Sequence, residues 1–409
     1  MLAAALMLTL AGDAAPPKGK ALEDTIKSYL AADEAEQARM RSRFDDELQP
    51  LKDKELDRLR AEILKIVNAA GSRLKYSQYI NYLLDESARR GKYIVDGKPG
   101  KVLFIGLHGG GAGSGDAESA AGAMGGGGWF WLFPEVLEKT EHGWTDSGTE
   151  EFVMQLIEAA KHTGRVDPNH IYITGHSMGG YGSWTLGAHH ADVFAGAAPY
   201  AGAPSPLFKS PTDQSVVGIV DGVIPSLCNL PLHIYQSLDD PQVPPATNVF
   251  ANQELLRWKA AHPGGFDFQY EEVNGRGHGA PQEGYMPSLQ WLAKHERNAR
   301  PKTILWQPVL DWKKHFYWLY WHKPRRGAIL KVEAKEGNVI DVAVLNDPKD
   351  LKGLSILLGA PVVDLSKPVT INVNGAQRFQ GTVARTFSTL LLTMSRNDAS
   401  LLFDARVDL

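Results

Sequence analysis

The sequence predicts an α/β protein in which a central sheet carries helices on both faces, preceded by a helical region and followed by a small antiparallel β domain. Three patterns predict it. Between residues 93 and 297, short apolar strands alternate with helical stretches. Before this part apolar residues recur at helical spacing, and after residue 301 they alternate with polar ones. We expect a helical region over 20–91, an α/β unit over 92–299 and a β-rich, sandwich-like domain over 300–409.

Composition narrows the classes of function. A chain of 409 residues exceeds the usual size of a single core, which favours several compact units. The net charge of −4 and the lack of clustered Lys and Arg argue against nucleic acid as a partner. Cys228 is the only cysteine, so an intrachain disulfide and a cysteine metal cluster are excluded.

The first residues have features of a signal peptide. Residues 2–12 are apolar and lead into small residues at 13–17, although the usual basic start is missing. We therefore expect a signal peptide over 1–15 and export to the periplasm or the medium; an unstructured N-terminus is the alternative. The apolar run is too short to span a membrane, and no other stretch is long and apolar enough to do so.

The region before the α/β unit is charge-rich, with apolar residues at helical spacing. Pro50 should end or restart a helix, because it lacks the amide donor. We expect these helices to pack against the following domain; a lid or a partner-binding coil is the alternative. The apolar positions that define the helices are Phe44, Leu48, Leu51, Leu56, Leu59, Ile63 and Ile66.

Strands of the α/β unit and of the β domain follow from their apolar runs and turns. Asn374-Gly375 predicts a two-residue hairpin turn after an alternating run, and residues 401–409 alternate again. The aromatic run 312–321 predicts a buried strand or an interdomain wedge, with a polymer-docking patch as the alternative. The strands expected in the α/β unit are Val102–Leu107, Ile171–Thr174, Phe194–Tyr200, Leu232–Gln236 and Phe268–Val273.

One serine stands where a strand turns sharply into a helix. Ser177 lies in Gly175-His176-Ser177-Met178-Gly179, directly after the strand that starts at Ile171. A serine between small residues in this context is typical of a nucleophile held in strained backbone. The sequence therefore predicts Ser177 as a nucleophile, whereas His176 is expected to pack because its place in the turn keeps it from the Ser177 hydroxyl.

Two further strand ends supply a base and a carboxylate. A serine hydroxyl needs a base, and the base needs an orienting acid. His278 follows the strand that ends at Val273, and Asp240 follows the strand that ends at Gln236. We predict His278 as the base and Asp240 as its partner. The adjacent Asp239 is the alternative, since only one of two neighbouring side chains reaches the imidazole.

A glycine-rich segment after the first strand predicts a set of amide donors. Residues 108–111 read His-Gly-Gly-Gly, and the amides of Gly109 and Gly110 with that of Met178 can meet one negatively charged oxygen. A phosphate site is excluded because the G-K-[ST] ending is missing. We expect an extended loop over 109–128, and an entrance flap is one interpretation of its role.

Several other side chains allow two interpretations. At least one of the aromatic residues Trp129, Phe130, Trp131 and Trp144 is a candidate for a substrate pocket, with a core role as the alternative. Of these, Trp129 and Trp144 are the substrate-binding candidates. The pair His189-His190 lacks the neighbours of a metal site.

These motifs resemble the α/β-hydrolase superfamily over residues 93–297, within it the polyhydroxyalkanoate-depolymerase-like and feruloyl-type esterases and the prolyl-oligopeptidase-like peptidases. The resemblance implies Ser177, Asp240 and His278 as a catalytic triad, an ester substrate of small-molecule or polymeric type, and no cofactor. The chain departs from the oligopeptidases in lacking an N-terminal propeller. A serine esterase is the prediction; a serine peptidase and a non-catalytic polymer-binding protein are the alternatives.

Overall fold

The computed structural model describes residues 12, 14–76, 80–110, 114–146, 148–163, 165–347 and 351–409. The signal peptide expected over 1–15 lies almost entirely outside these residues. In the described part, no helix is both long enough and apolar enough to cross a membrane.

Three helices open the described chain; the first and third each bury an apolar stripe, and the second buries Phe44. Their apolar side chains pack on one another and on a helix near the C-terminus, whereas the sequence suggests packing on the α/β unit that follows. The end of the third helix does contact that unit, where His162 Nδ1 lies 3.0 Å from the Asn68 carbonyl oxygen. The helical region is also shorter than expected, because residues 81–85 form a strand. Pro50 lies between the second and third helices, as predicted. The helices are α1 (Gly19–Ala31), α2 (Glu34–Glu47) and α3 (Asp53–Ala70).

The next part of the chain forms the strands of a central sheet and one separate hairpin. Each predicted strand of this part is present, with ends that agree to within two residues. The strands are β1 (Asn81–Asp85), β2 (Arg90–Asp96), β3 (Leu103–Leu107), β4 (Phe130–Pro134), β5 (Ile171–His176), β6 (Gly196–Tyr200), β7 (Pro206–Ser210), β8 (Asp213–Ile219), β9 (Leu232–Ser237) and β10 (Phe268–Val273).

The central sheet has the order β1-β2-β4-β3-β5-β6-β9-β10, while β7 and β8 pair only with each other. From β4 to β10 its neighbouring strands are parallel, and β1 and β2 are antiparallel additions. Parallel strands carry their following loops at one edge of the sheet, so residues distant in sequence meet there. The helices of this unit are α4 (Ala117–Met124), α5 (Thr149–Lys161), α6 (Met178–His189), α7 (Ala246–Ala261) and α8 (Met286–Leu292).

Helices cover both faces of the central sheet, which confirms the predicted fold class. Ile105 and Ile173 pack in one apolar core with side chains of α5, α6 and α7. Phe104 and Tyr172, one residue earlier on each strand, pack in another core with α4 and α8. Because successive strand residues face opposite sides, burial of both faces requires the near-continuous apolar runs seen in the sequence.

The C-terminal region contains two further sheets and a buried helix. Asn374 and Gly375 have positive φ angles of 48° and 80° and connect a β-hairpin, as predicted. The other strand pairs of these two sheets are antiparallel, as predicted, but β15 (Val339–Val344) and β17 (Val369–Val373) pair in parallel, and residues 387–394 form a helix that the sequence did not indicate. The elements are β11 (Thr303–Trp306), β12 (His315–Phe316), β13 (Leu319–Trp321), β14 (Leu330–Lys335), β15 (Val339–Val344), β16 (Leu354–Leu358), β17 (Val369–Val373), β18 (Ala376–Gly381), α9 (Phe387–Met394) and β19 (Ala405–Asp408).

The aromatic run 312–321 lies largely in the interior between the α/β unit and the C-terminal sheets. Tyr317 and Trp318 are fully buried, and only Trp312 at the start of the run is exposed, at 40%. The Tyr317 hydroxyl donates to the carbonyl of Ala191, which follows α6, at 2.7 Å. This placement agrees with the predicted interdomain wedge.

A buried carboxylate next to Ala191 joins the same two parts of the chain. Asp192 accepts from Lys313 Nζ and from an Arg396 guanidinium nitrogen, both at 2.6 Å, and its side chain is 1% exposed. Burial alone favours the neutral acid, but Lys313 and Arg396 outweigh it and hold the pKa of Asp192 below its ordinary value. The charges of Asp192, Lys313 and Arg396 therefore stabilise one another, and removal of any one would leave a buried charge without its partner.

We expect Asp192→Asn to reduce the free energy of unfolding by about 3–5 kcal/mol, because it leaves two buried cations without their shared anion. Chemical denaturation followed by fluorescence measures the change. Asp364→Asn, at an exposed turn, is the control and should stay within about 0.5 kcal/mol of the wild type. A similar stability for both variants would show that the cluster contributes little.

Candidate active site

Ser177 occupies a strained turn between β5 and α6. Its φ of 60° and ψ of −121° are unfavourable for a residue with a side chain. Its amide donates to the carbonyl of Tyr200 at 2.9 Å, which ties the turn to β6. A Cβ on Gly175 would lie 2.5 Å from the Gly179 backbone, and one on Gly179 would lie 2.1 Å from the Leu107 carbonyl oxygen. Only glycine fits these two positions, and the turn presents the serine hydroxyl outward.

His278 lies beside Ser177, on the loop after β10. Its Nε2 is 2.8 Å from Ser177 Oγ, and its Nδ1 is 2.8 Å from Asp240 Oδ2. A carboxylate only accepts hydrogen bonds, so Nδ1 carries the proton and Nε2 offers its lone pair to the serine hydroxyl. This tautomer is the one that can remove a proton from Ser177.

Asp240 is held rigidly in the loop after β9. Its side chain is completely buried, and its Oδ1 accepts from the amides of Gln242 at 2.8 Å and Val243 at 3.0 Å. Its second oxygen, Oδ2, is directed to His278. Both carboxylate oxygens are therefore satisfied in one orientation, which fixes the imidazole plane.

Asp239, the alternative acid, has a different place. It is exposed, and its Oδ1 accepts from the amides of Gly275 at 3.0 Å and Gly277 at 3.1 Å. The hydroxyl of Ser237 also donates to it at 2.5 Å, and this bond is the main reason that the pKa of Asp239 lies below its ordinary value. Asp239 thus fastens the loop that carries His278, without reaching the ring itself.

The glycine-rich segment passes next to Ser177. A Cβ on Gly109 would lie 2.8 Å from the His176 carbonyl oxygen and 3.2 Å from Ser177 Cβ. Among the described residues, the amides of Gly109 and Gly110 donate no hydrogen bond. Met178 contributes the first amide of α6, beside the serine. These are the amides predicted to face one oxygen; Gly111 lies outside the described residues.

His108 supports this segment from behind. Its Nε2 accepts from the Val136 amide at 3.2 Å, so its Nδ1 carries the proton and donates to the Gly109 carbonyl at 2.9 Å. Burial lowers the pKa of His108, which keeps the ring neutral and this pattern intact. The imidazole therefore sets the direction of the peptide that precedes Gly110.

Neither tryptophan predicted to bind substrate lies among the described residues that line the cleft, which corrects that prediction. Trp144 is fully buried, and its indole nitrogen donates to the His108 carbonyl at 3.1 Å. Trp129 packs its ring 4.6 Å from that of Phe104 on the sheet. Trp144 therefore lies in the core, and Trp129 is partly buried against it.

A cleft of about 990 Å³ opens above Ser177 and His278. Residues 117–124, expected as part of a loop, form α4, which begins with a capping box between Asp116 and Ser119 and contributes one wall. The hairpin β7–β8 contributes another wall and has exposed apolar side chains. Sequence analysis did not find this hairpin; its turn signal, Pro211-Thr212-Asp213, was available. The wall residues from these elements are Ser119, Ala120, Ala123, Met124, Pro206, Phe208, Gln214 and Val216.

Comparison with known proteins shows a family match for part of the chain. Residues 84–263 match the family described as "Putative esterase". The matched segment contains Ser177 and Asp240 and ends before His278. The match confirms, for this segment, the resemblance to esterases that the motifs predict.

Individual relatives match over limited lengths. The poly(3-hydroxyalkanoate) depolymerase C of Paucimonas lemoignei is 40% identical over 52 residues, and the chain spans 13% of the length of this curated relative. A thermostable esterase of known structure has 21% identity and a TM-score of 0.39, over 51% of this chain and 59% of its own. Acetyl xylan esterase from Aspergillus awamori has 15% identity and a TM-score of 0.37, over 53% of this chain and 98% of its own.

The two adjacent carboxylates give different expectations for labelling of Ser177 by a fluorophosphonate. Asp240→Asn should slow labelling by about 10³-fold or more, because the amide favours the tautomer that cannot accept the serine proton. Asp239→Asn should stay within about tenfold of the wild type, because its remaining carbonyl oxygen still accepts from the loop amides. Mass spectrometry of the labelled protein measures both rates.

Asp85→Asn is the matched control, since Asp85 is an exposed turn acid that also accepts from backbone amides, those of Ser87 and Ala88. It should label at the wild-type rate. A severe loss in Asp239→Asn combined with normal labelling of Asp240→Asn would show that the acid is assigned one residue too late.

Proposed function

We propose that this protein is a serine esterase that hydrolyses carboxylic esters through an acyl-enzyme. The observation that carries the proposal is the unbroken chain from Asp240 Oδ2 through His278 to Ser177 Oγ, with both hydrogen bonds at 2.8 Å. Three groups from three different strand ends, joined by hydrogen bonds in the order that acyl transfer requires, support this chemistry. The esterase match over residues 84–263 supports the choice of ester as the bond that is cleaved.

The first half of the proposed reaction forms the acyl-enzyme. Ser177 Oγ attacks the ester carbonyl carbon while His278 Nε2 takes the hydroxyl proton. The carbonyl oxygen becomes negative in the tetrahedral intermediate, and the amides of Gly109, Gly110 and Met178 are the donors that would stabilise it. His278 then gives its proton to the departing alcohol. Throughout, Asp240 stabilises the imidazolium and holds its ring plane.

The second half releases the acid and restores the enzyme. A water molecule attacks the acyl carbon, and His278 takes one of its protons in the same way as from the serine. The tetrahedral intermediate collapses with Ser177 Oγ as the leaving group, which recovers its proton from His278. No redox step and no further reactant enter this sequence.

Ser177→Ala should abolish hydrolysis of p-nitrophenyl esters except for a residue of about 10³–10⁴-fold over water from binding and the amide donors. Ester substrates should also have far higher kcat/KM values than peptide amides in the wild type. The control is Ser366→Ala, at an exposed turn of the C-terminal region, which should retain full activity.

Three results would count against the proposal. Near-normal ester turnover in purified Ser177→Ala would remove the mechanism. A higher kcat/KM for peptide amides than for esters, still dependent on Ser177, would indicate a serine peptidase. A wild type that binds polyester film but is not labelled at Ser177 would indicate a non-catalytic polymer-binding protein.

The hairpin wall gives a prediction about substrate size. Phe208 lines the cleft and is 45% exposed, so its ring is free to contact an acyl or alcohol group of the substrate. Phe208→Ala should raise KM about tenfold for esters with an aromatic or long-chain acyl group, a loss of about 1.4 kcal/mol of apolar contact, and leave KM for acetyl esters unchanged. Steady-state kinetics on an acyl-length series tests this expectation.

Leu207→Ala is a closely matched control for that variant. Leu207 is the preceding residue of the same strand and is 48% exposed, but it is not among the described residues that line the cleft. A loss of the same size in both variants would show that the hairpin as a whole, rather than the Phe208 ring, affects KM.

A further inference from the structure

A second histidine contacts the base from the opposite direction. His176 is the last residue of β5 and directly precedes Ser177. Its Nε2 lies 3.0 Å from the backbone carbonyl oxygen of His278, and the two rings are 5.1 Å apart in an edge-to-face arrangement. Consecutive residues of the nucleophile turn thus bind the same histidine, one at its backbone and one at its ring.

The hydrogen bonds of His176 define its tautomer. A carbonyl oxygen only accepts, so Nε2 of His176 carries the proton and donates a hydrogen bond to the backbone carbonyl of His278. Nδ1 is then the acceptor, and the Tyr285 hydroxyl lies 3.2 Å from it as the donor. Burial raises the pKa of Tyr285 to about 12, so the phenol keeps its proton. Burial, aided by the neighbouring His278, lowers the pKa of His176 and keeps its ring neutral.

This arrangement excludes His176 as a second base for Ser177. Its Nε2–H is directed to the His278 carbonyl, and its lone pair on Nδ1 receives the Tyr285 hydroxyl. Neither ring nitrogen is left to accept the serine proton. A role for His176 therefore has to act through His278.

The loop that carries His278 needs such support. It has no helix or strand between Val273 and Met286, and Gly275, Gly277 and Gly284 have positive φ angles. Asp239 holds the amides of Gly275 and Gly277, upstream of the base. The bond from His176 is the point at which the peptide of His278 itself is fixed to the nucleophile turn.

We propose that His176, oriented by the Tyr285 hydroxyl, is a positioning residue that fixes the backbone of His278 and so keeps its Nε2 on Ser177. The proposal rests on the proposed esterase function. His176 and Tyr285 also line the cleft. A displacement of about 1 Å between reacting groups can cost about 10²-fold in rate, and this loss falls on the chemical step rather than on substrate binding. The role predicts a loss in kcat with little change in KM.

The test compares His176→Leu, His176→Gln and Tyr285→Phe with the wild type on p-nitrophenyl acetate. His176→Leu removes the donor and should lower kcat about 10- to 100-fold, with KM within about twofold. His176→Gln restores a neutral N–H donor on a side chain of similar reach and should recover kcat to within about fivefold of the wild type. Tyr285→Phe leaves the His176 donor in place without its orienting partner and should fall between these two variants.

Other readouts separate positioning from a structural role. The rate of fluorophosphonate labelling of Ser177 should follow kcat across the series, and urea unfolding shows whether each variant is folded. A folded His176→Leu with wild-type kcat would overturn the proposal. So would a His176→Gln variant that is folded but as slow as His176→Leu, since the donor would then be irrelevant.

The two proposals can fail separately. If the wild type has no ester turnover that depends on Ser177, the proposed function fails. If that turnover is present and the His176 variants change only KM, the esterase function stands and the positioning role is wrong.

Discussion

The contact between β5 and α6 around Ser177 leaves no room for side chains, and this constraint sets the geometry of the site. Gly179 lies against the Leu107 carbonyl of β3, and Gly109 lies against the backbone of His176 and Cβ of Ser177. The turn at Ser177, the end of β3 and the glycine-rich segment are therefore at backbone contact distance. Their relative positions do not depend on flexible side chains, which is the form of preorganisation that stabilises a developing charge.

The remaining groups reach this turn because β9 and β10 are parallel and in register. Ser237 at the end of β9 lies opposite Val273 at the end of β10, so the loops that follow emerge side by side. Asp240 and His278 are 38 positions apart in the chain and still meet at 2.8 Å. The neighbouring Asp239 joins the same two loops through backbone amides. Two adjacent carboxylates thus divide the work of orienting the ring and fastening its loop.

Features that depend on local chain pattern could be predicted from the sequence. The strand before Ser177, the strand ends before Asp240 and His278, and the Asn374-Gly375 turn each follow from a few neighbouring residues. Features set by tertiary packing could not. Trp144 is aromatic and near the motifs, yet it supports His108 from the core. The N-terminal helices show an apolar stripe, but nothing in that stripe indicates that α9, more than 300 residues later, covers it.

The contacts of His176 show the same limit at finer scale. Its place beside the nucleophile excludes a role as the base, and on the sequence alone packing was the remaining interpretation. The distinction between packing and positioning depends on where the carbonyl of a residue 102 positions away lies. Just beyond the other end of α6, Ala191 and Asp192 make long-range contacts of the same kind, with Tyr317, Lys313 and Arg396. The segment from Ser177 to Asp192 is therefore held at its start by the loop that carries His278 and beyond its end by the C-terminal region.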